Sequence, residues 1–118
     1  MLKNIFKNKK VIFVAEIGLN HNGDISLAKD MISAAAVSGA DAVKFQTFIP
    51  EKMYSPYTAS LLKNGDQAEI DYSIIDFFRK FTFTKDQWKE LKEFSDKCGI
   101  EFFSAPFDIE SVRLLESL

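Results

Sequence analysis

The sequence predicts an α/β domain with parallel strands, and three observations carry that prediction. Apolar, β-branched strand signals fall at Val11–Ala15, Ala42–Thr47 and Ile100–Ala105, with amphipathic helical segments between and after them. The resulting order β-α-β-α-β-α calls for crossover connections between strands that run the same way. The first strand also runs into a carboxylate, Glu16, and then directly into a turn of Gly18, Asn20, His21, Asn22 and Gly23. A strand buried on both faces is expected to be continuously apolar, so an acid there is costly unless it has a task. In α/β proteins ligands gather at the carboxyl ends of the strands.

Each element has its own signature. Asp24 is the expected N-cap of a helix over residues 25–38, whose stripe is Ala28, Met31, Ile32, Ala35 and Ala36 and whose stop is Gly39. Strands one and two start at residues 11 and 42, a normal βα unit, whereas strand three starts only at residue 100. The excess, residues 48–83, is punctuated by Pro50, Pro56 and Asn64-Gly65 and then shows Ile70, Ile74, Phe77, Phe78 and Phe81 at helical spacing. An excursion after a strand's carboxyl end commonly borders the ligand site. Its phenylalanines read as core or lid packing. Thr84 with Gln87 forms a capping box for a helix over 85–97, with Trp88, Leu91 and Cys98 along one face and Gly99 at its end. Asp108 caps a last helix, with Val112 and Leu115 expected to face inward. The sequence shows no internal repeat, linker or low-complexity tract.

Composition narrows the function classes. At 118 residues, 47% hydrophobic and 14% aromatic, the chain can bury a core as one domain. A net charge of −2 and a pI near 5.4 leave no electrostatic footprint for nucleic acid. The single cysteine, Cys98, excludes an internal disulfide, fits a reducing compartment and reads as a small buried hydrophobe. Lys3, Lys7, Lys9 and Lys10 form a basic start, but the apolar run after them breaks at Glu16, too soon for a signal peptide or membrane span. A cytoplasmic protein with no membrane partner is the expectation. One histidine and one cysteine do not make a ligand set for a transition metal.

Alternation within strand two puts Lys44 and Gln46 on one face and Val43 and Phe45 on the other. If the apolar pair meets the helices, the polar pair faces the opposite side, joined by Glu16 from strand one and, as expected at corresponding height, Ser104 from strand three. An acid, a cation, an amide and a hydroxyl then share one mouth. The residues leave other readings open. Glu16 and Lys44 also suit a structural ion pair, Gln46 and Ser104 suit backbone hydrogen bonds, and His21 suits a turn residue bonded to its own backbone as well as a ligand contact. A small complete sheet and the first part of a larger one are equally compatible with three βα units.

Three motifs stand in order: AEIGLNHNGD (15–24), GADAVKFQTF (39–48) and FFSAPFD (102–108). Together they resemble the amino-terminal part of the N-acetylneuraminate (sialic acid) synthase family, with its legionaminic, pseudaminic and spore-coat polysaccharide branches. The likeness runs from about Val11 to the last residue. It departs at Ala105, where the family commonly has Thr. The resemblance implies a TIM-type (β/α)8 barrel, of which residues 1–118 are an amino-terminal fragment carrying the first three βα units, without the family's antifreeze-like C-terminal domain. It implies a homodimer for the full-length protein, and a transferase that condenses phosphoenolpyruvate with an N-acetylated amino sugar such as N-acetylmannosamine, releasing phosphate and a nine-carbon 2-keto acid.

By position, Glu16 matches the acid that handles the water added at C2 of phosphoenolpyruvate, and Lys44 the lysine that binds the phosphoenolpyruvate anion. Gln46 matches a glutamine near the metal site, and Asn20, His21 and Asn22, like Ser104, are expected at the same mouth. The family's divalent metal, manganese or magnesium, is expected to be ligated beyond residue 118, with no ligand in this chain, and the fragment alone is expected to be inactive. The contrasting reading is a small non-catalytic α/β module that holds an anionic ligand between Glu16 and Lys44.

Overall fold

The computed structural model describes residues 11–53 and 72–118. The lysines at 3, 7, 9 and 10, with Pro56, Asn64-Gly65 and Ile70, lie outside the described residues. Three strands, β1 (Val14–Gly18), β2 (Ala42–Thr47) and β3 (Glu101–Pro106), form one parallel sheet in the order β1-β2-β3. The helices are α1 (Ile25–Val37), α2 (Tyr72–Arg79), α3 (Lys85–Cys98) and α4 (Ile109–Glu116), with a short 3-10 turn at Pro50–Lys52. This is the α/β, parallel-strand arrangement expected of the first βα units of a TIM-type barrel.

Local chemistry explains where the helices start. The Asp24 carboxylate accepts the N–H groups of Ser26 and Leu27, filling donors that the first turn of α1 leaves unpaired. At α3 the Thr84 hydroxyl accepts from Gln87 N–H while the Gln87 side chain accepts from Thr84 N–H, a reciprocal box. Asp108 accepts from Ser111 at the start of α4. Its third bond, from Ile49 N–H at 2.9 Å, ties the segment after β2 to that helix. Burial pushes the Asp108 carboxyl up, but the amides of Ser111 and Ile49, the Ser111 hydroxyl and Lys52 together hold it below its ordinary value.

The core lies between the sheet and helices α1 and α3. Val43 and Phe45 of β2 and Ile17 of β1 meet Ala28 and Ile32 of α1, Trp88 and Leu91 of α3, and Phe83 and Ile100. Phe45 stands edge-on to Trp88 at 5.8 Å, and Phe83 does the same at 5.3 Å. Cys98 packs half-buried against this cluster. No described helix is long and apolar enough to cross a membrane.

Two expectations need correction. Strand β1 begins at Val14 rather than Val11, because pairing with β2 starts at Val14–Ala42; Glu16 therefore lies within the strand instead of closing it. On α4 it is Ser111 that is buried and Leu114 that packs against the core, with Val112 and Leu115 half-buried to either side. Asp108 sets the phase of that helix by its bond to Ile49, which turns the Ser111 side inward.

Candidate functional site

Parallel register decides which side chains can meet. Glu16 pairs with Lys44 and Lys44 with Phe103, so these three share the sheet face turned away from the core; Gln46 follows on that face beside Ala105. The Lys44 ammonium and the Glu16 carboxylate form a direct ion pair, with the two side chains 35% and 47% exposed. A pair this open to solvent contributes at most about 1 kcal/mol to stability. It is therefore weak as a structural brace, and both charges remain available to a ligand that offers a better partner.

The register slips by one residue between Glu16 and Gly18, and the strand passes into the turn through Gly18 at φ +54°. Glu16 and Gln46 border that glycine. A Cβ there would sit 3.4 Å from Glu16 Oε1 and 3.7 Å from Gln46 Nε2. Acid and amide thus flank the same glycine at the carboxyl end of the sheet, with the lysine paired to the acid. Sequence reasoning missed Gly18 as part of this mouth; its place between the acid and the turn was the available signal.

Ser104 does not join them. It pairs in register with Phe45, on the helix-covered face, and its hydroxyl lies 2.6 Å from the Thr47 hydroxyl. The residue of β3 that does reach the mouth face next to Gln46 is Ala105. Alternation within a strand was legible, but its phase against the neighbouring strand was not.

His21 also departs from the mouth. It is fully buried, stacked against Phe83 at 4.5 Å and near Phe45 at 5.9 Å, and its Nδ1 accepts the Gly23 N–H at 3.0 Å. The ring is a turn residue bonded to its own backbone. Burial pushes its pKa below the ordinary value, with the Gly18 backbone pulling the other way. Asn20 and Asn22 are exposed on the same turn, Asn22 at φ +51°. Gly23, at φ +75°, presses against the segment after α2: a Cβ on it would fall 1.9 Å from the Lys80 carbonyl oxygen.

A cavity of about 370 Å³ lies at the carboxyl end of β2, bordered by Gln46, Thr47, Phe48, Trp88 and Leu114, and does not include Glu16 or Lys44. Glu16 and Lys44 stand outside it, part-exposed on the open face of the sheet. Among the described residues no group of three or more His, Cys, Asp or Glu side chains stands together. With His21 enclosed by aromatic rings, the donors on this face do not by themselves fit a divalent cation.

Residues 31–118 match the model of the NeuB family. The chain belongs to the NeuB family. Among its relatives in that family, the N,N'-diacetyllegionaminic acid synthase of Campylobacter jejuni is 42% identical over 110 residues, which cover 93% of this chain and 33% of the relative. The N-acetylneuraminate-9-phosphate synthase of Mus musculus is 35% identical over 111 residues, covering 89% and 29%. The solved sialic acid synthetase of Leptospira borgpetersenii, crystallised with citrate, superposes with a TM-score of 0.76 at 33% identity, covering 93% of this chain and 34% of that one. This NeuB-family chain thus spans about a third of the length of the relatives it matches.

Proposed function

We propose that this chain is the amino-terminal part of the barrel of a sugar-acid synthase, one that condenses phosphoenolpyruvate with an N-acetylated amino sugar of the N-acetylmannosamine type. The observation that carries the reading is the Glu16–Lys44 pair on the open sheet face, with Gln46 beside Gly18 at the carboxyl end of the same strands. Membership of a family whose named members are sugar-acid synthases supports it.

The chemistry follows from the charges. In the condensation, C3 of phosphoenolpyruvate bonds to the aldehyde carbon of the open-chain sugar and C2 becomes electron-poor. Water adds to C2, and the tetrahedral product expels phosphate to leave the 2-keto acid. Lys44, released from Glu16, offers a fixed cation to the carboxylate or phosphate of the donor. Glu16 stands where a carboxylate can take the proton of the attacking water and stabilise charge at C2. Gln46, with an amide that both donates and accepts, suits an orienting contact to a hydroxyl or carbonyl of the acceptor. A divalent cation would need ligands from outside these residues. The partners proposed are the two substrates and a second copy of the full-length protein, acting in the cytoplasm.

Replacing Glu16 with Gln in the full-length protein tests this. Phosphate release should fall by about 100-fold or more, with KM for phosphoenolpyruvate nearly unchanged. Lys44→Ala should act mainly on that KM, raising it by roughly ten-fold or more. Near-normal turnover by the Glu16 variant refutes its role. Tight binding of phosphoenolpyruvate without turnover by the wild-type full-length protein favours the non-catalytic module. The 118-residue chain alone is expected to release no phosphate.

A further inference from the structure

The chemistry proposed above leaves His21 without a task, yet its ring is 0% exposed. A phenylalanine would suit the space between Phe83 and Phe45 and bring no polar atom with it. His21 brings two. Nδ1 accepts from Gly23 N–H, so the proton of the neutral ring resides on Nε2, which has no hydrogen-bond partner among the described residues. Burying an unpartnered N–H opposes folding, so the gain has to come from Nδ1.

What Nδ1 secures is a turn that its backbone cannot secure alone. Between 18 and 23 three residues take positive φ: Gly18, Asn22 and Gly23. The backbone N–H groups of Asn20, Asn22 and Asp24 bond to Ile17, Leu19 and His21 carbonyls, whereas that of Gly23 goes to the His21 ring. On its other side Gly23 lies so close to the Lys80 carbonyl that only a residue without a Cβ fits there. Asn20 N–H, bonded to the Ile17 carbonyl, ties the turn back to the strand that carries Glu16, and a Cβ added at Gly18 would stand 3.4 Å from Glu16 Oε1 and 3.7 Å from Gln46 Nε2.

We infer that His21 is a positioning residue, whose Nδ1 clamps Gly23 within the turn that leaves β1 and so fixes where the Glu16 carboxylate and Gln46 amide stand. The catalytic consequence rests on the synthase reading; the clamp itself does not.

With 15N-labelled histidine in the full-length protein, and the His21 signal identified by its loss in His21→Asn, NMR should show a neutral ring at pH 7, protonated on Nε2 and bare on Nδ1. The opposite tautomer, or a ring that exchanges between tautomers like free imidazole, overturns the clamp. Two variants separate acceptor from packing. His21→Asn places an acceptor oxygen where Nδ1 lies but loses the ring; His21→Phe keeps the ring and loses the acceptor. The amide signals of Gly18 and Gly23 and the side-chain amide of Gln46 should stay near wild type in His21→Asn and move in His21→Phe. The reverse order, or the same response in both, overturns the inference. In the full-length protein His21→Phe should lower kcat by about ten-fold or more with little change in KM for phosphoenolpyruvate, and His21→Asn should restore most of it. If the wild-type full-length protein performs no condensation, the proposed function fails, while the tautomer and amide signals still decide on the clamp.

Discussion

Lys44 and Phe45 are neighbours in β2 and lie on opposite sides of the sheet. Phe45 is 0% exposed, in ring contact with His21, Trp88 and Phe102, whereas the Lys44 side chain keeps about a third of its surface in water beside Glu16. The helix-covered face carries the folding energy through apolar burial, and its polar groups are enclosed in specific bonds: Thr47 with Ser104, His21 with Gly23. The open face holds groups whose interactions in the free protein are weak. A single strand therefore separates stability from chemistry at every second residue.

The sharpest break of that separation is the pair Phe45→Ala and Lys44→Ala. Deleting the buried ring should cost about 3–5 kcal/mol, and deleting the exposed ammonium under about 1 kcal/mol, measured as urea midpoints of the full-length protein. Similar losses at both positions would mean that the open face is also a load on stability. A smaller effect is expected at Ser104. Its change to Ala strands the buried Thr47 hydroxyl and should cost about 1–2 kcal/mol, while KM for phosphoenolpyruvate stays put because the hydroxyl faces the helices. A raised KM at unchanged stability would return Ser104 to the mouth.

The smallest effect is in the pH dependence. His21 is held below its ordinary value in the folded chain, so the unfolded chain takes up the proton first as acid is added. Its contribution is complete above the ordinary imidazole value of about 6.5 and declines as pH falls from there toward the lowered folded value. His21→Asn should flatten the urea midpoint across that window. Asp108, also held low, loses its contribution only in the separate carboxylate range near pH 4 and below. An unchanged slope in His21→Asn would show that the imidazole does not couple to folding.

Much of this was legible in the residues. Asp24, Thr84 with Gln87, and Asp108 cap the helices they were expected to cap, since a cap is a local bargain between one side chain and the next few amides. The bounds of β2 and the opposed faces of Lys44 and Phe45 follow from alternation alone. What could not be read was set by distant partners. β1 starts at Val14 because Ala42 is there to pair with it, and the face of Ser104 is chosen by its register with Phe45. The interior place of His21 depends on Phe83, from another part of the chain.

The contact between Gly23 and the Lys80 carbonyl joins residues far apart in sequence, and it gives the molecule an order of assembly. The Asp24 cap and helix α1 need only their own neighbours and can form as soon as they are made. The turn before them cannot be pressed into its final shape until residue 80 exists and has folded back. On a growing chain, synthesised from the amino end, the site's own corner is set after the helix that follows it, once residue 80 has been made.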